Sequence, residues 1–146
     1  MAAACSNDAP SARPFIGTWA YTEGGGRFEC DDGQSGSVMI KAGARFSFLL
    51  AEDRVMYSGA HCSLEVEHGG DQLFATPGSS CTYELEDPTF GAYTTVLTFA
   101  SETSWKLDNA VLRETSHEIF DITYADGDFH FVCDVTLSAD AEKIAD

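Results

Sequence analysis

The residues with the clearest chemistry in this sequence are four cysteines. Cys30, Cys62, Cys81 and Cys133 each lie in a run whose apolar residues recur at every second position. Residues two apart in a β-strand share a face, so these four sulfurs are expected to point into one interior. An even set of inward cysteines on separate strands indicates two disulfides and an oxidising compartment.

Four cysteines allow three disulfide connectivities. We expect Cys62–Cys81, because these residues lie in nearby candidate strands, and this pairing leaves Cys30–Cys133. Zinc is the alternative chemistry, but structural zinc sites bring their ligands as close pairs, whereas these cysteines are separated by 32, 19 and 52 residues. The spacing therefore favours disulfides over a metal.

Histidines and carboxylates offer weaker candidates. His68 shares the alternation phase of Cys62 and is expected to point inward, as a structural residue. Residues 31–33 and 126–128 place Asp beside Gly, which suits calcium, but ordinary hairpin turns are the favoured interpretation of this pattern. The sequence has no G-x-S-x-G, H-E-x-x-H, Walker or C-x-x-C motif. We expect no metal and no cofactor, and we assign no catalytic residue. An enzyme is the third and least favoured function class, and the sequence leaves it open, because a barrel can build a catalytic site from scattered residues.

Strands must position these groups, since two-residue alternation runs along most of the chain. The candidate strands are residues 15–22, 26–30, 37–41, 45–51, 54–58, 61–68, 72–76, 80–86, 92–100, 103–107, 111–114, 117–124 and 128–137. Some should fuse, leaving about eight to ten. Predicted turns separate them at 24–26, 32–33, 52–53, 69–70, 108–109 and 126–127. The tail from Ser138 is predicted to form a short helix capped by that serine.

This pattern predicts an all-β fold, an antiparallel up-and-down meander that closes into a barrel. A barrel of about eight strands is filled by side chains or holds one small ligand. The inward phases are rich in aromatic residues. Tyr83, Tyr93, Phe99 and Trp105, which come from mid-chain strands, are the predicted ligand-binding residues at the open mouth.

The first strand carries a resemblance to a known family. Phe15-Ile16-Gly17-Thr18-Trp19 resembles the G-x-W opening of lipocalins and related calycin barrels. The resemblance implies a closed antiparallel barrel, with Trp19 across its base and ligand access at the opposite mouth. The whole chain is also similar to small exported lipoproteins of unknown function in bacteria such as myxobacteria, a resemblance that implies no mechanism.

Residues 1–14 are small, polar and proline-punctuated, which predicts a flexible leader before a single domain at 15–146. Ala2-Ala3-Ala4-Cys5 resembles the end of a bacterial lipobox, so Cys5 is a candidate for lipidation. A lipid anchor there is the only membrane contact expected.

The formal charge of −16 excludes nucleic acid and anionic lipid surfaces as partners, because both are themselves negative. A monomer is expected.

Two functions are compatible with these features. The first is an exported barrel that binds a small apolar or aromatic molecule. The alternative is a lipoprotein of the cell envelope that has a filled core and acts through its surface loops. A cavity above roughly 300 Å³ at one mouth would favour the first function.

Overall fold

The computed structural model describes residues 11–100, 102–125 and 129–146. Cys5 and most of the predicted leader lie outside these residues, as does the predicted turn at 126–127. A 3₁₀ turn at Arg13–Phe15 precedes the first strand. Eleven strands follow: β1 (Gly17–Cys30), β2 (Ser35–Met39), β3 (Arg45–Ala51), β4 (Arg54–Ser58), β5 (Ser63–Gly69), β6 (Gln72–Ala75), β7 (Ser80–Asp87), β8 (Gly91–Phe99), β9 (Ser104–Asp108), β10 (Val111–Tyr124) and β11 (His130–Ala145).

Eight strands close into an antiparallel barrel, as predicted. Their order around the barrel is β1–β3–β4–β5–β6–β9–β10–β11, and β11 pairs with β1 to complete the circle. Each barrel strand is adjacent to the next barrel strand along the chain. β2 and the β7–β8 hairpin are not part of the barrel. Among the described residues no helix is long and apolar enough to cross a membrane.

Three long strands continue beyond the barrel and form a second structure, which we call the extension. β1, β10 and β11 are 14, 14 and 16 residues long, whereas the other barrel strands have four to seven. Outer halves of the long strands pair with β2 on one side and with β8 on the other, and β7 adds to β8, which gives the order β2–β1–β11–β10–β8–β7. The extension therefore projects from one mouth of the barrel as an open six-stranded sheet.

The opposite end of the barrel, the base, is closed by the start of the domain. The Trp19 side chain is 2% exposed, and its Nε1 donates a hydrogen bond to the Phe15 carbonyl at 2.8 Å. Lys143 of β11 lies with its ammonium 5.4 Å from the centroid of the Trp19 ring, a cation–π contact. Trp19 thus occupies the closed end, as the lipocalin resemblance implied.

Two local predictions are wrong. Residues 24–26 do not turn but lie within β1, where Gly26 faces Leu137 of β11. A Cβ atom on Gly26 would stand 1.7 Å from the Thr136 carbonyl oxygen, so glycine here allows a close backbone approach. The tail from Ser138 is strand, not helix, because it pairs with both β1 and β10.

Candidate functional site

One face of β10 runs without interruption from the barrel interior onto the extension. Alternate residues Glu114, Ser116, Glu118, Phe120 and Ile122 share this face. Glu114 pairs across to β9 inside the barrel, whereas residues from Glu118 onward pair with β8 on the extension. The change from interior to open sheet therefore falls between Glu114 and Glu118.

Below this point the barrel lumen is filled by side chains. Phe48 and Tyr57 pack against Trp105, with ring centroids 5.2 and 5.3 Å away, and the Tyr57 ring is stacked on the indole. The largest fully buried side chains are Trp19, Trp105, Phe15, Phe48, Leu73, Leu112 and Thr103. The described interior of the barrel is thus lined by large side chains that pack against one another.

Glu114 forms the polar top of this packed core. Its Oε1 accepts hydrogen bonds from the Tyr21 hydroxyl and the Trp105 indole N–H, both at 2.7 Å. Burial raises the pKa of Glu114, and the two hydrogen bonds partly oppose that rise. Burial and the neighbouring Glu114 raise the pKa of Tyr21, which keeps its hydroxyl a neutral donor.

Above Glu114 the shared face opens into an apolar groove on the extension. The groove encloses about 310 Å³. Its walls come from four strands, and the lining includes Phe28, Val38, Phe120, Ile122, Phe131 and Val135, with Glu118 and the Cys30–Cys133 disulfide. We call this site the groove. Among the described residues that line the groove, Glu118 alone is acidic or basic.

Glu118 lies at the inner end of the groove, where the extension meets the barrel. Ser116 Oγ donates a hydrogen bond to Glu118 Oε1 at 2.8 Å. Burial raises the pKa of Glu118 to about 7; the Ser116 hydrogen bond opposes the rise, and the nearby Glu114 adds to it. This carboxyl group can therefore gain or lose a proton near neutral pH.

Both predicted disulfides are confirmed. Cys30 and Cys133 are direct partners across β1 and β11, and their disulfide forms part of the groove wall. Cys62 and Cys81 join the residue just before β5 to the start of β7. The second disulfide therefore ties the outermost strand of the extension to the barrel. Two disulfides indicate an oxidising environment.

The four predicted ligand-binding residues fall into two separate places. Phe99 and Trp105 lie in the core, 2% and 1% exposed, with ring centroids 6.5 Å apart. Tyr83 and Tyr93 lie on the face that continues from the groove, on β7 and β8. Trp105 is therefore a buried core residue, and its truncation would remove packing. Ligand binding by these four residues stays a prediction.

The groove residues Phe28, Glu118, Phe120 and Ile122 were not among the predicted site residues. The alternation Glu118-x-Phe120-x-Ile122 was visible in the sequence. The predicted break at residues 115–116 hid its continuity with the barrel strand.

Histidines take mostly structural positions. His68 points inward at the base, with its ring 6.1 Å from Phe15, and its Nε2 is buried without a hydrogen-bond partner among the described residues. On the outer surface, His117 contacts Asp134 at 2.9 Å and Glu102 at 3.3 Å. The hydrogen bond to Asp134 raises the pKa of His117.

The candidate calcium turns are accounted for in part. Asp31 accepts a hydrogen bond from the Val132 amide at 2.9 Å, and Asp32 accepts one from the Gln34 amide at 3.1 Å. These bonds fix the β1–β2 turn. The second candidate, residues 126–128, lies outside the described residues. Within residues 11–100, 102–125 and 129–146, no three metal-ligating side chains converge.

The architecture is compatible with a lipocalin-like barrel. No family model, curated protein or solved structure matches the chain. The similarity to small exported bacterial lipoproteins therefore has no support from these comparisons, and any function must be argued from the site itself.

Proposed function

We propose that this protein binds a small apolar molecule in the groove on the extension. The observation that carries the proposal is the course of the inward face. This face leaves the filled barrel and continues over an open sheet, where it forms the concave groove of about 310 Å³. Ligand sites are typically concave, largely apolar and supplied with a few polar groups. Glu118 is the polar group here.

Export is part of the proposal. The two disulfides support an oxidising location such as the periplasm, the outer membrane or the extracellular space. A lipid anchor at Cys5 would hold the domain at a membrane surface; that residue lies outside the described part of the chain.

A titration with the neutral apolar fluorophore N-phenyl-1-naphthylamine tests the groove. Binding should raise and blue-shift its emission, because the dye leaves water. Ile122→Gln places an amide in the groove wall and should weaken binding about tenfold or more. Ile144→Gln is the matched control, because Ile144 is 42% exposed at the far end of β11.

The alternative function is surface interaction by a filled envelope protein, and the packed lumen favours it. It predicts no saturable dye binding, or binding that the two isoleucine variants weaken equally. Either result would contradict the groove proposal.

A further inference from the structure

At the far tip of the extension, aromatic rings and carboxylates from several strand ends and turns come together. Phe90 comes from the β7–β8 turn, Tyr124 from the end of β10 and Phe129 from the residue before β11. Asp32 and Asp87 stand at the β1–β2 and β7–β8 turns. Together these five residues border a pocket of about 360 Å³, which we call the tip pocket.

The planes of the three rings lie at large angles to one another. Phe90 and Phe129 have centroids 5.6 Å apart, and each lies 6.0 Å from Tyr124. The interplanar angles are 64°, 82° and 71°. Rings set at such angles present faces in different directions around one corner, so a group in that corner can contact more than one π-face within the roughly 6 Å range of a cation–π interaction.

These rings are unusually open to solvent. Phe90 is 56% exposed and Phe129 is 50% exposed, although both side chains are large and apolar. Exposed apolar groups that cluster together mark binding surfaces more often than isolated ones.

The charge at the pocket is negative. In the described part of the chain neither Asp32 nor Asp87 forms an ion pair with Lys or Arg. Asp87 Oδ1 instead accepts the amide N–H groups of Thr89 and Phe90 at 2.7 and 3.0 Å, which holds the carboxylate at the turn. A protein of net charge −16 adds a field that attracts cations.

We propose that the tip pocket binds a quaternary ammonium group, with its methyl groups against Phe90, Tyr124 and Phe129 and its charge balanced by Asp32 and Asp87. A quaternary ammonium is weakly hydrated and apolar on its surface, so it loses less solvation in contact with aromatic faces than a primary ammonium does. Recognition of such groups by aromatic rings is a general use of the cation–π interaction.

The tip pocket and the groove are adjacent. Phe131 and Gln34 border both of them. Ile122, opposite Phe131, lies four positions along β10 from Glu118 at the inner end, a span of about 13 Å. A molecule with a cationic head in the tip pocket could thus extend an apolar chain along the groove. The head-group proposal does not require the groove to be filled.

Binding of choline, measured by NMR through the shifts of the aromatic resonances, tests the proposal. The control ligand is 3,3-dimethyl-1-butanol, which has the same shape without the charge. Choline should bind at least about tenfold more tightly, and its affinity should fall as sodium chloride rises. Equal affinity of the two ligands would overturn the proposal.

Variants locate the site. Phe90→Leu and Phe129→Leu keep an apolar side chain but remove the π-face, and each should weaken choline binding about three- to tenfold. Asp87→Asn keeps the Oδ1 acceptor for the turn and removes the charge, so it should weaken binding as well. Asp53→Asn, on the β3–β4 turn at the base, is the charge control and should change nothing. Thermal melts confirm folding, which these exposed positions should preserve. Choline affinity unchanged in both leucine variants would contradict the assignment.

Chain length separates this proposal from the groove function. Octyltrimethylammonium should bind more tightly than choline if the chain occupies the groove. Preferential choline binding without a gain from the octyl chain would support the tip pocket and contradict the groove. A gain from the chain, with choline and its neutral analogue bound equally, would contradict the tip pocket alone.

Discussion

Two glutamates four residues apart on one strand have different roles because their surroundings differ. Glu114 is 6% exposed and accepts two hydrogen bonds from neutral donors, so it completes the core. Glu118 receives one hydrogen bond from Ser116 and borders an open groove. The polar atoms of Glu114 are thus engaged internally, whereas Glu118 has a side that faces the site.

Glu118 makes stability depend on pH. Burial raises its pKa from 4.5 to about 7, so the folded protein holds this proton more tightly than the unfolded chain. The contribution is fully present below about pH 4.5 and is lost as pH rises to about 7. A rise of this size corresponds to about 3 kcal/mol of unfolding free energy, which Glu118→Gln should recover at pH 8.

Urea denaturation at pH 5 and pH 8 measures this effect. Glu67→Gln on the outer face of β5 is the matched control, since Glu67 is exposed. His117 affects stability at higher pH than Glu118 does. Its contribution to the free energy of unfolding is fully present below about pH 6.5 and is lost as pH rises through the raised pKa of His117 in the folded protein. Equal pH dependence in wild type and Glu118→Gln would refute the role of this carboxyl group.

At the scale of elements, the course of β1 decides whether an extension exists. The strand passes through three consecutive glycines and continues to Cys30. A Cβ atom on Gly24 would lie 2.6 Å from the Ala139 Cβ, and one on Gly26 would lie 1.7 Å from the Thr136 oxygen. These glycines let β1 and β11 stay paired where the sheet leaves the barrel.

Gly26→Ala should therefore destabilise the protein by about 1–3 kcal/mol or more, as overpacking does. Gly69→Ala in β5 is the control, because the nearest atom to its added Cβ is a Phe74 ring carbon at 3.4 Å, an ordinary contact. Chemical denaturation of both variants checks the comparison. Similar losses in the two variants would show that the close approach at Gly26 is not the cause.

The sequence was sufficient for elements that depend on local pattern. Short strands and tight turns were predicted well, and Glu52 and Asn109 adopt φ values of 63° and 59° at two of the predicted turns. The tail was not. Its Ala, Glu and Lys residues favour a helix locally, but pairing with β1 and β10 and burial of Ala139 and Ala141 override that preference.

The candidate site depends on pairings that no local pattern contains. The groove depends on β1, β10 and β11 staying paired beyond the barrel and on β2 pairing with the outer half of β1. Alternation could assign Phe120 to an inward face, but it could not show that this face lies outside the closed barrel. The cysteine pairs were predictable because each sulfur shares the phase of its strand.

At the scale of the whole molecule, closure removes edges only from the barrel. β2 and β7 end the extension and leave two free edges. β2 has five residues, and β7 carries Glu84 and Glu86 on its exposed side. Short strands and charged side chains limit pairing between copies, so both edges have features that oppose aggregation.

The excess of acidic groups affects the stability of the whole molecule. With 24 acids and 8 bases, repulsion opposes the compact state. Because the Debye length shrinks from about 10 Å at 0.1 M to about 3 Å at 1 M salt, the melting temperature should rise by a few degrees with sodium chloride. Calorimetry at several concentrations measures this rise. Replacing Glu84 and Glu86 by Gln should reduce its slope, because both carboxylates are exposed and contribute to the repulsion that salt screens. A melting temperature that stays flat or falls would mean that repulsion among these acids does not limit stability.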